Sequence, residues 1–263
     1  RTHQKIVVVD GEYAYTGGFN IADEYANLIE RFGVWKDAGI RVSGDAVWGM
    51  TIAFLEMWKA SMPREEIDYE RYKTDKPSPV NDVYCHVLRD GPALGPRSFF
   101  ATAYKQMIQY AERKLYVTTP YLILEDIMIE TLVEARERGV DVRIITPNIP
   151  DKKRVKMMTE YNYGVLLRNG IRVYEYTPGF IHTKVIMNEH CAIVGTVNMD
   201  YRSFYLHYEN GIWVYDQRFL GTVESDVTET IRVSREITYE EWRKRPRMRK
   251  LAQFVLKVFD SLV

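Results

Sequence analysis

Two rhythms of apolar and polar positions run through this chain. Residues 5–9, KIVVV, form a continuous β-branched run that suits a central strand covered on both faces, and 13–16 read as its partner across an Asp10-Gly11 turn. A third short strand is expected at 40–42. Over 45–60 the spacing changes to that of a helix, with Val47, Thr51, Phe54, Leu55 and Trp58 on one side. Residues 62–82 carry Pro63, Pro77 and Pro79 among many charges and read as a linker. Beyond it the elements alternate. Helices are expected at 99–112, 126–138 and 152–168, and strands at 114–118, 141–146, 171–176, 181–187, 192–194 and 211–215. Gly139 stops one helix just before the strand DVRIITP. This alternation predicts an α/β fold with a largely buried sheet.

One pattern occurs twice. "RTHQKIVVVDGEYAYTGGFN" opens the chain, and "GFIHTKVIMNEHCAIVGTVNMD" begins at Gly179. The first copy supplies His3, Lys5, Asp10, Gly17, Gly18 and Asn20. The second supplies His182, Lys184, Glu189, Gly195, Thr196 and Asn198. A repeat of domain size predicts two similar halves about a pseudo-two-fold axis. On a strand, i and i+2 share a face, so His and Lys project together from each copy. The small residues before each Asn let the backbone approach a ligand closely. An imidazole, a permanently charged ammonium and an amide form an anion site. Doubled, they place two imidazoles about one phosphodiester, one to attack phosphorus and one to protonate the leaving oxygen. The lysines and asparagines would stabilise the added negative charge without a metal. One His-x-Lys strand is commonplace; two, each followed by an apolar run and Gly-[Gly/Thr]-x-Asn, are not.

Composition narrows this reading. Lys+Arg and Asp+Glu balance at 36 each, so the overall basic footprint of a nucleic-acid binder is missing. Cys85 and Cys191 form neither a disulfide framework nor a zinc spacing, and suit a reducing setting. No apolar run reaches the roughly 20 residues that span a bilayer. The chain opens with Arg1, just before His3. The expectation is a fragment whose missing N-terminal part holds the rest of the first half and a membrane anchor.

The paired motifs, with "WKDAGIRVSG", "TTPYLILEDIMIETLVEARERGVDVRIITPNIPDKKRV", "YEYTPGFIHTKVIM", "GTVNMDYRSFYLHYENGIWVY" and "EITYEEWRKRP", resemble the phospholipase D superfamily and, within it, the bacterial cardiolipin synthases. The resemblance implies a mixed β-sheet flanked by helices, in two pseudo-two-fold halves with the first truncated. On this basis 1–61 is the remnant of the first half, 62–90 a linker, 91–240 the second half and 241–263 a C-terminal amphipathic helix. It implies a ping-pong transfer from one phosphatidylglycerol to another through a phosphohistidine, with glycerol released. It assigns the catalytic site to His3, Lys5, Asp10, Asn20, His182, Lys184, Glu189 and Asn198. An acidic residue beyond each motif, Asp37 and Glu209, would orient the His. No cofactor and no metal are implied. The partners would be phosphatidylglycerol, anionic lipids and a membrane surface, at the cytoplasmic face of a bacterial membrane, with no nucleic acid. The second copy departs from the pattern: Glu replaces Asp at 189, and the step to Gly195 is one residue shorter. That predicts a tighter hairpin around 188–190, with His190 and Cys191 as local structure. The rival readings are another phospholipase D-type transferase or hydrolase, a phosphodiesterase acting on nucleic acid, and a lipid-binding protein with a decayed second motif.

Other features carry weaker signals. Asp200, Arg202 and Ser203 read as supports of the turn after Asn198. Lys152, Lys153, Arg154 and Lys156 form a basic cluster that suits anionic headgroups or a solvated helix face. The last segment sets Leu251, Phe254, Val255, Val258 and Leu262 on one stripe, fit for a membrane interface or for the protein's own surface. The many tyrosines suit a wet apolar interface, or simply core.

Overall fold

The chain's own hydrophobic pattern builds two main sheets that share a core, beside a third sheet of two short strands. A computed structural model describes residues 1–74, 76, 83–95 and 97–257; Pro77, Pro79, Val258 and Leu262 lie outside them. Strands β1 (Val7–Val9), β2 (Tyr13–Gly17) and β3 (Gly39–Ser43) form a three-stranded antiparallel sheet, followed by helix α1 (Ala46–Ser61). Then come β4 (Cys85–Asp90), α2 (Phe99–Gln109), β5 (Lys114–Thr118), the short β6 (Leu122–Ile123), α3 (Asp126–Glu137), β7 (Asp141–Pro147), α4 (Lys153–Arg168) and β8 (Arg172–Tyr176). The remainder is β9 (Val185–Asn188), β10 (Ala192–Gly195), β11 (Met199–Asp200), α5 (Tyr201–Tyr205), β12 (Glu209–Val214), α6 (Gln217–Arg232), β13 (Ser234–Ile237), α7 (Tyr239–Arg243) and α8 (Arg247–Lys257).

The large sheet runs β13-β8-β7-β5-β9-β10-β12-β4. Its β5-β7-β8 portion is parallel and the other pairs are antiparallel, a mixed sheet flanked by helices, as expected. Alternation along the strands divides the side chains between two faces. Leu115, Val117, Ile144, Ile186 and Ile193 meet α2, α3 and α4 through Phe100, Met107, Leu132 and Leu166. On the opposite face Tyr116, Ile145 and Met187 meet Leu220 and Val227 of α6. Beside them Val185, Val194, Ile212 and Val214 meet Ala14, Ile40, Val47 and Met50 of the small sheet and α1. The small sheet is therefore packed onto the large one.

The pseudo-symmetry is visible in the register. Gly17 pairs with Gly39, and Gly195 with Gly211. A Cβ on Gly17 would come within 2.4 Å of the Ala38 carbonyl oxygen; one on Gly195 would come within 2.4 Å of the Asn210 carbonyl oxygen. Gly17 and Gly195 need glycine for the same close approach of backbones. The hairpins differ as the spacing predicts. In the first, residues 10–12 separate Val9 from Tyr13, and Asp10 and Gly11 take φ of 53° and 69°. In the second, residues 189 and 190 alone separate Asn188 from Cys191, whose backbones are bonded at 3.0 Å. The Asn188 side-chain oxygen accepts the His190 and Cys191 N–H groups, both at 2.9 Å, and closes the tighter turn.

Several expectations change. The run 5–9 is not a covered central strand: β1 is the edge of the small sheet, and Val7 and Val9 are exposed. Its counterpart β9 is buried because β5 pairs along its other side. The strand read at 181–187 begins at Val185. The linker read at 62–90 ends early, because β4 joins the large sheet as the partner of β12. Asp90 then anchors the next helix: its carboxylate accepts the Phe99 and Phe100 N–H groups at 2.6 and 3.1 Å. The helix read across 241–263 is α8, preceded by the separate turn of α7. Lys156 leaves the basic cluster, being buried in an ion pair with Glu175 and donating to the Pro147 carbonyl at 2.7 Å. Helix α6 and strands β4 and β13 were not foreseen.

Candidate active site

Each histidine lies in extended chain just ahead of its strand, and each is held by the other half. The Thr2 segment bridges Tyr208 in parallel, and the His3 N–H donates to the Tyr208 carbonyl at 2.9 Å. The Ile181 segment bridges Lys36 in the same way, and the His182 N–H donates to the Lys36 carbonyl at 2.7 Å. This crossing carries the side chains with it. His3 Nδ1 lies 3.0 and 2.9 Å from the two carboxylate oxygens of Glu209. His182 Nδ1 lies 2.8 Å from Asp37 Oδ2. Each acid therefore serves the histidine of the opposite motif, not the one that precedes it in sequence. A carboxylate on Nδ1 sets the tautomer and leaves Nε2 to react.

The lysines repeat the symmetry. Lys5 Nζ donates to the His3 carbonyl at 2.7 Å, and Lys184 Nζ to the His182 carbonyl at 2.6 Å. Both sit in poor solvent, and burial lowers both pKa values, Lys184 to about 7. Lys184 is thus not the permanent charge expected from its residue type. His182 is pressed well below the ordinary imidazole range by burial and by the charges of Lys184 and Lys5, so it stands neutral.

The two acids differ, and one residue explains part of it. Burial pushes Asp37 up to about 6, against the pull of Lys184 and the Ala38 N–H. Burial also pushes Glu209 upward, but the His207 imidazole 3.4 Å away and hydrogen bonds with His3 and Thr196 overcome it and hold Glu209 at about 2. Thr196 donates its hydroxyl directly to Glu209. The matching residue in the first copy is Gly18, where a Cβ would fall 2.1 Å from Asp37 Oδ1. The small residue before the Asn motif therefore makes room for, or bonds to, the orienting carboxylate.

A cavity of about 510 Å³ opens over the pair, lined by His3, His182, Asn20, Asn198, Arg1, Tyr121, Lys152 and His207 among others. Asn20 donates to the Tyr25 hydroxyl at 2.7 Å, and the Tyr25 ring meets His182 edge-on at 5.3 Å. Trp35, two residues before Asp37, packs on His182 at 5.4 Å; His207, two before Glu209, packs on His3 at 5.4 Å. These are equivalent positions, an aromatic ring set beside the opposite imidazole. Sequence reasoning passed over Tyr25, Trp35 and His207; the two-residue spacing to each acid was the available signal. Asp200 caps α5, accepting the Ser203 N–H at 2.7 Å, as a turn support should.

Asp10 and Glu189 stand apart from this cavity. Asp10 is exposed in its hairpin turn. Glu189 is buried, but it faces the other way and accepts the N–H groups of Glu112 and Lys114 at 2.7 and 3.1 Å. Burial would raise its pKa; those bonds outweigh burial and lower it. It ties the β9–β10 hairpin to the start of β5. Ligand atoms of His3, His207 and Glu209 lie within 4.8 Å of one another, as do those of Glu112, Glu189 and His190; these sets among the described residues could hold a metal ion.

Comparison with known proteins bears on this geometry. The family model described as "Cardiolipin synthase, PLD-like domain" matches residues 104–231. "Cardiolipin synthase 1" of Staphylococcus aureus is 33% identical over the whole chain, which covers 53% of that protein. An "Uncharacterized protein" of Streptococcus mutans is 39% identical over the whole chain and 57% of its own length. Residues 104–231 form a phospholipase D-like domain. The chain spans about half the length of the curated relatives it matches. The fold extends to a phosphatidylserine synthase of Haemophilus influenzae, with TM-score 0.74, 15% identity, and coverage of 100% of this chain and 71% of that one.

Proposed function

We propose that this chain carries the catalytic centre of a cardiolipin synthase, which moves a phosphatidyl group from one phosphatidylglycerol to another and releases glycerol. The observation that carries the reading is the crossed pair of carboxylate-bound imidazoles on one cavity, together with its cardiolipin synthase relatives. One Nε2 attacks phosphorus. The P–O bond to glycerol breaks, and the other imidazolium protonates the departing oxygen. That imidazole, now neutral, takes the proton of the second phosphatidylglycerol's terminal hydroxyl. The resulting oxygen attacks the phosphohistidine, the P–N bond breaks, and both imidazoles return to their starting state. Lys5, Lys184, Asn20 and Asn198 stabilise the charge added at phosphorus. Asp37 and Glu209 act through the histidines as positioning residues. Asp10 and Glu189 serve the hairpins. The setting is a membrane surface, consistent with the cardiolipin synthase relatives; among the described residues no helix is long and apolar enough to cross a bilayer.

The test uses vesicles of labelled phosphatidylglycerol with the protein and with His182→Ala. Cardiolipin and glycerol in equal amounts, absent with the variant, is the expected result. Phosphatidic acid alone would make water the acceptor and the enzyme a hydrolase. Intact vesicle binding without any product would overturn the catalytic reading.

A further inference from the structure

Helix α8 is mounted with its polar side inward. Gln253 is fully buried; it accepts from Arg245 Nε at 2.7 Å and donates to Glu160 at 3.2 Å. Arg249 donates to both carboxylate oxygens of Glu160 at 2.7 and 2.6 Å, and Lys257 reaches the Leu124 carbonyl at 3.4 Å. At 100° per residue these three positions fall on one side of the helix. Met248, Leu251, Phe254 and Val255 occupy an arc of about 120° that none of the three enters, and they are 75, 57, 60 and 49% exposed. A helix that packs on its own protein normally does the opposite, burying its apolar stripe and exposing its charges. Here Gln253, Arg249 and Lys257 make the intramolecular dock with Leu256 half-buried on the same side, and the apolar stripe is left to something else. An exposed apolar patch of this kind marks an interaction surface.

What surrounds the stripe identifies its partner. Arg243 and Lys244 are exposed just ahead of the helix, Arg247 is exposed within the arc at its first turn, and Lys250 is half-buried at its edge. Apolar side chains flanked by cations match an anionic lipid interface, where the chains enter the acyl boundary and the cations meet headgroups. The helix also lies close to the cavity. Leu124, which receives Lys257, adjoins Ile123, which lines it; Glu160, which receives Arg249, stands on α4, whose Val155 lines it too. We infer that α8 is a membrane-docking helix that seats the cavity on an anionic bilayer surface through Met248, Leu251, Phe254 and Val255. The inference rests in part on the lipid reading of the site, but its own surface and its test are separate.

The test is co-sedimentation of the chain with vesicles of 30% phosphatidylglycerol in phosphatidylcholine, about the composition that gives a strongly anionic surface. Leu251→Asp/Phe254→Asp should reduce binding to the level on pure phosphatidylcholine. Arg247→Ala/Lys250→Ala should weaken it by about 25-fold, each charge contributing about fivefold, and only at low salt. Turnover of phosphatidylglycerol in detergent micelles should be unchanged in both variants, which also shows them folded. Unchanged vesicle binding by Leu251→Asp/Phe254→Asp overturns the inference. So does a wild-type dimer in sedimentation velocity that the same variant dissolves, since a second copy would then own the stripe. Vesicle binding that depends on α8, without product from either lipid form, leaves the docking helix standing and removes the synthase reading.

Discussion

On the proposed function, the lowered pKa of Lys184 should make binding of a phosphodiester proton-linked, and the size of the effect follows from the fold. Lys184 is fully buried, and burial brings it to about 7 while Asp37 and Glu209 oppose that fall. Without ligand, about nine-tenths of the lysine is charged at pH 6 and about one-tenth at pH 8. A bound diester anion favours the ammonium form, so binding above neutrality must first recruit a proton. Affinity should therefore drop about tenfold between pH 6 and pH 8, about 1.4 kcal/mol, with a limiting slope of about one proton per decade. Glycerophosphoglycerol suits the assay because its single charge is constant over this range. Calorimetry in two buffers of different ionisation enthalpy would count the protons taken up. Lys184→Met should bind weakly at both pH values with the slope removed. A flat affinity from pH 6 to 8 in the parent protein would refute the argument, as would a slope that survives in Lys184→Met.

The same lysine predicts a stability effect. The unfolded chain holds the Lys184 proton up to its ordinary 10.5 while the fold releases it near 7, so the destabilisation is complete below pH 7 and fades as pH rises toward 10.5. Lys184→Met should accordingly raise the thermal midpoint more at pH 6 than at pH 9; an equal shift would contradict it. Asp37→Asn should lower kcat by about 10²–10⁴ with little change in KM, because an amide permits the wrong tautomer of His182; wild-type turnover would sever the crossed pairing from catalysis. Gly18→Ala should cost activity by displacing Asp37, whereas Gly221→Ala, with open space on helix α6, should leave activity intact and stabilise by about 0.5–1 kcal/mol in chemical denaturation. Thr196→Val, which strips a donor from buried, ionised Glu209, should destabilise by about 1.5–3 kcal/mol by the same measurement.

The alternating elements of the second half were legible because their signals are local. Gly139 closes a helix, and the strands 141–146 and 171–176 read directly from their apolar positions. The edge strands β4 and β13 were not legible, since a half-covered strand of mixed polarity such as Ser234–Ile237 carries no run to recognise. The repeated motif brought His3 and His182 into view, but the sequence could not tell that their acids are exchanged. That fact lies in two isolated bridges, Thr2 to Tyr208 and Lys36 to Ile181, formed across more than a hundred residues of chain. Asp10 and Glu189 show the opposite case: both stand in the hairpins of their motifs, away from the cavity that the histidines line.

The exchanged acids also bear on how the molecule comes into being. His3 is translated 206 positions ahead of its carboxylate, Glu209. His182 is translated long after Asp37 and docks onto a segment already made. A nascent or half-folded chain therefore contains no properly set imidazole in either half. On the proposed function, chemistry on membrane lipids would have to wait until both motifs have folded together. Activity and completed assembly would then be the same event.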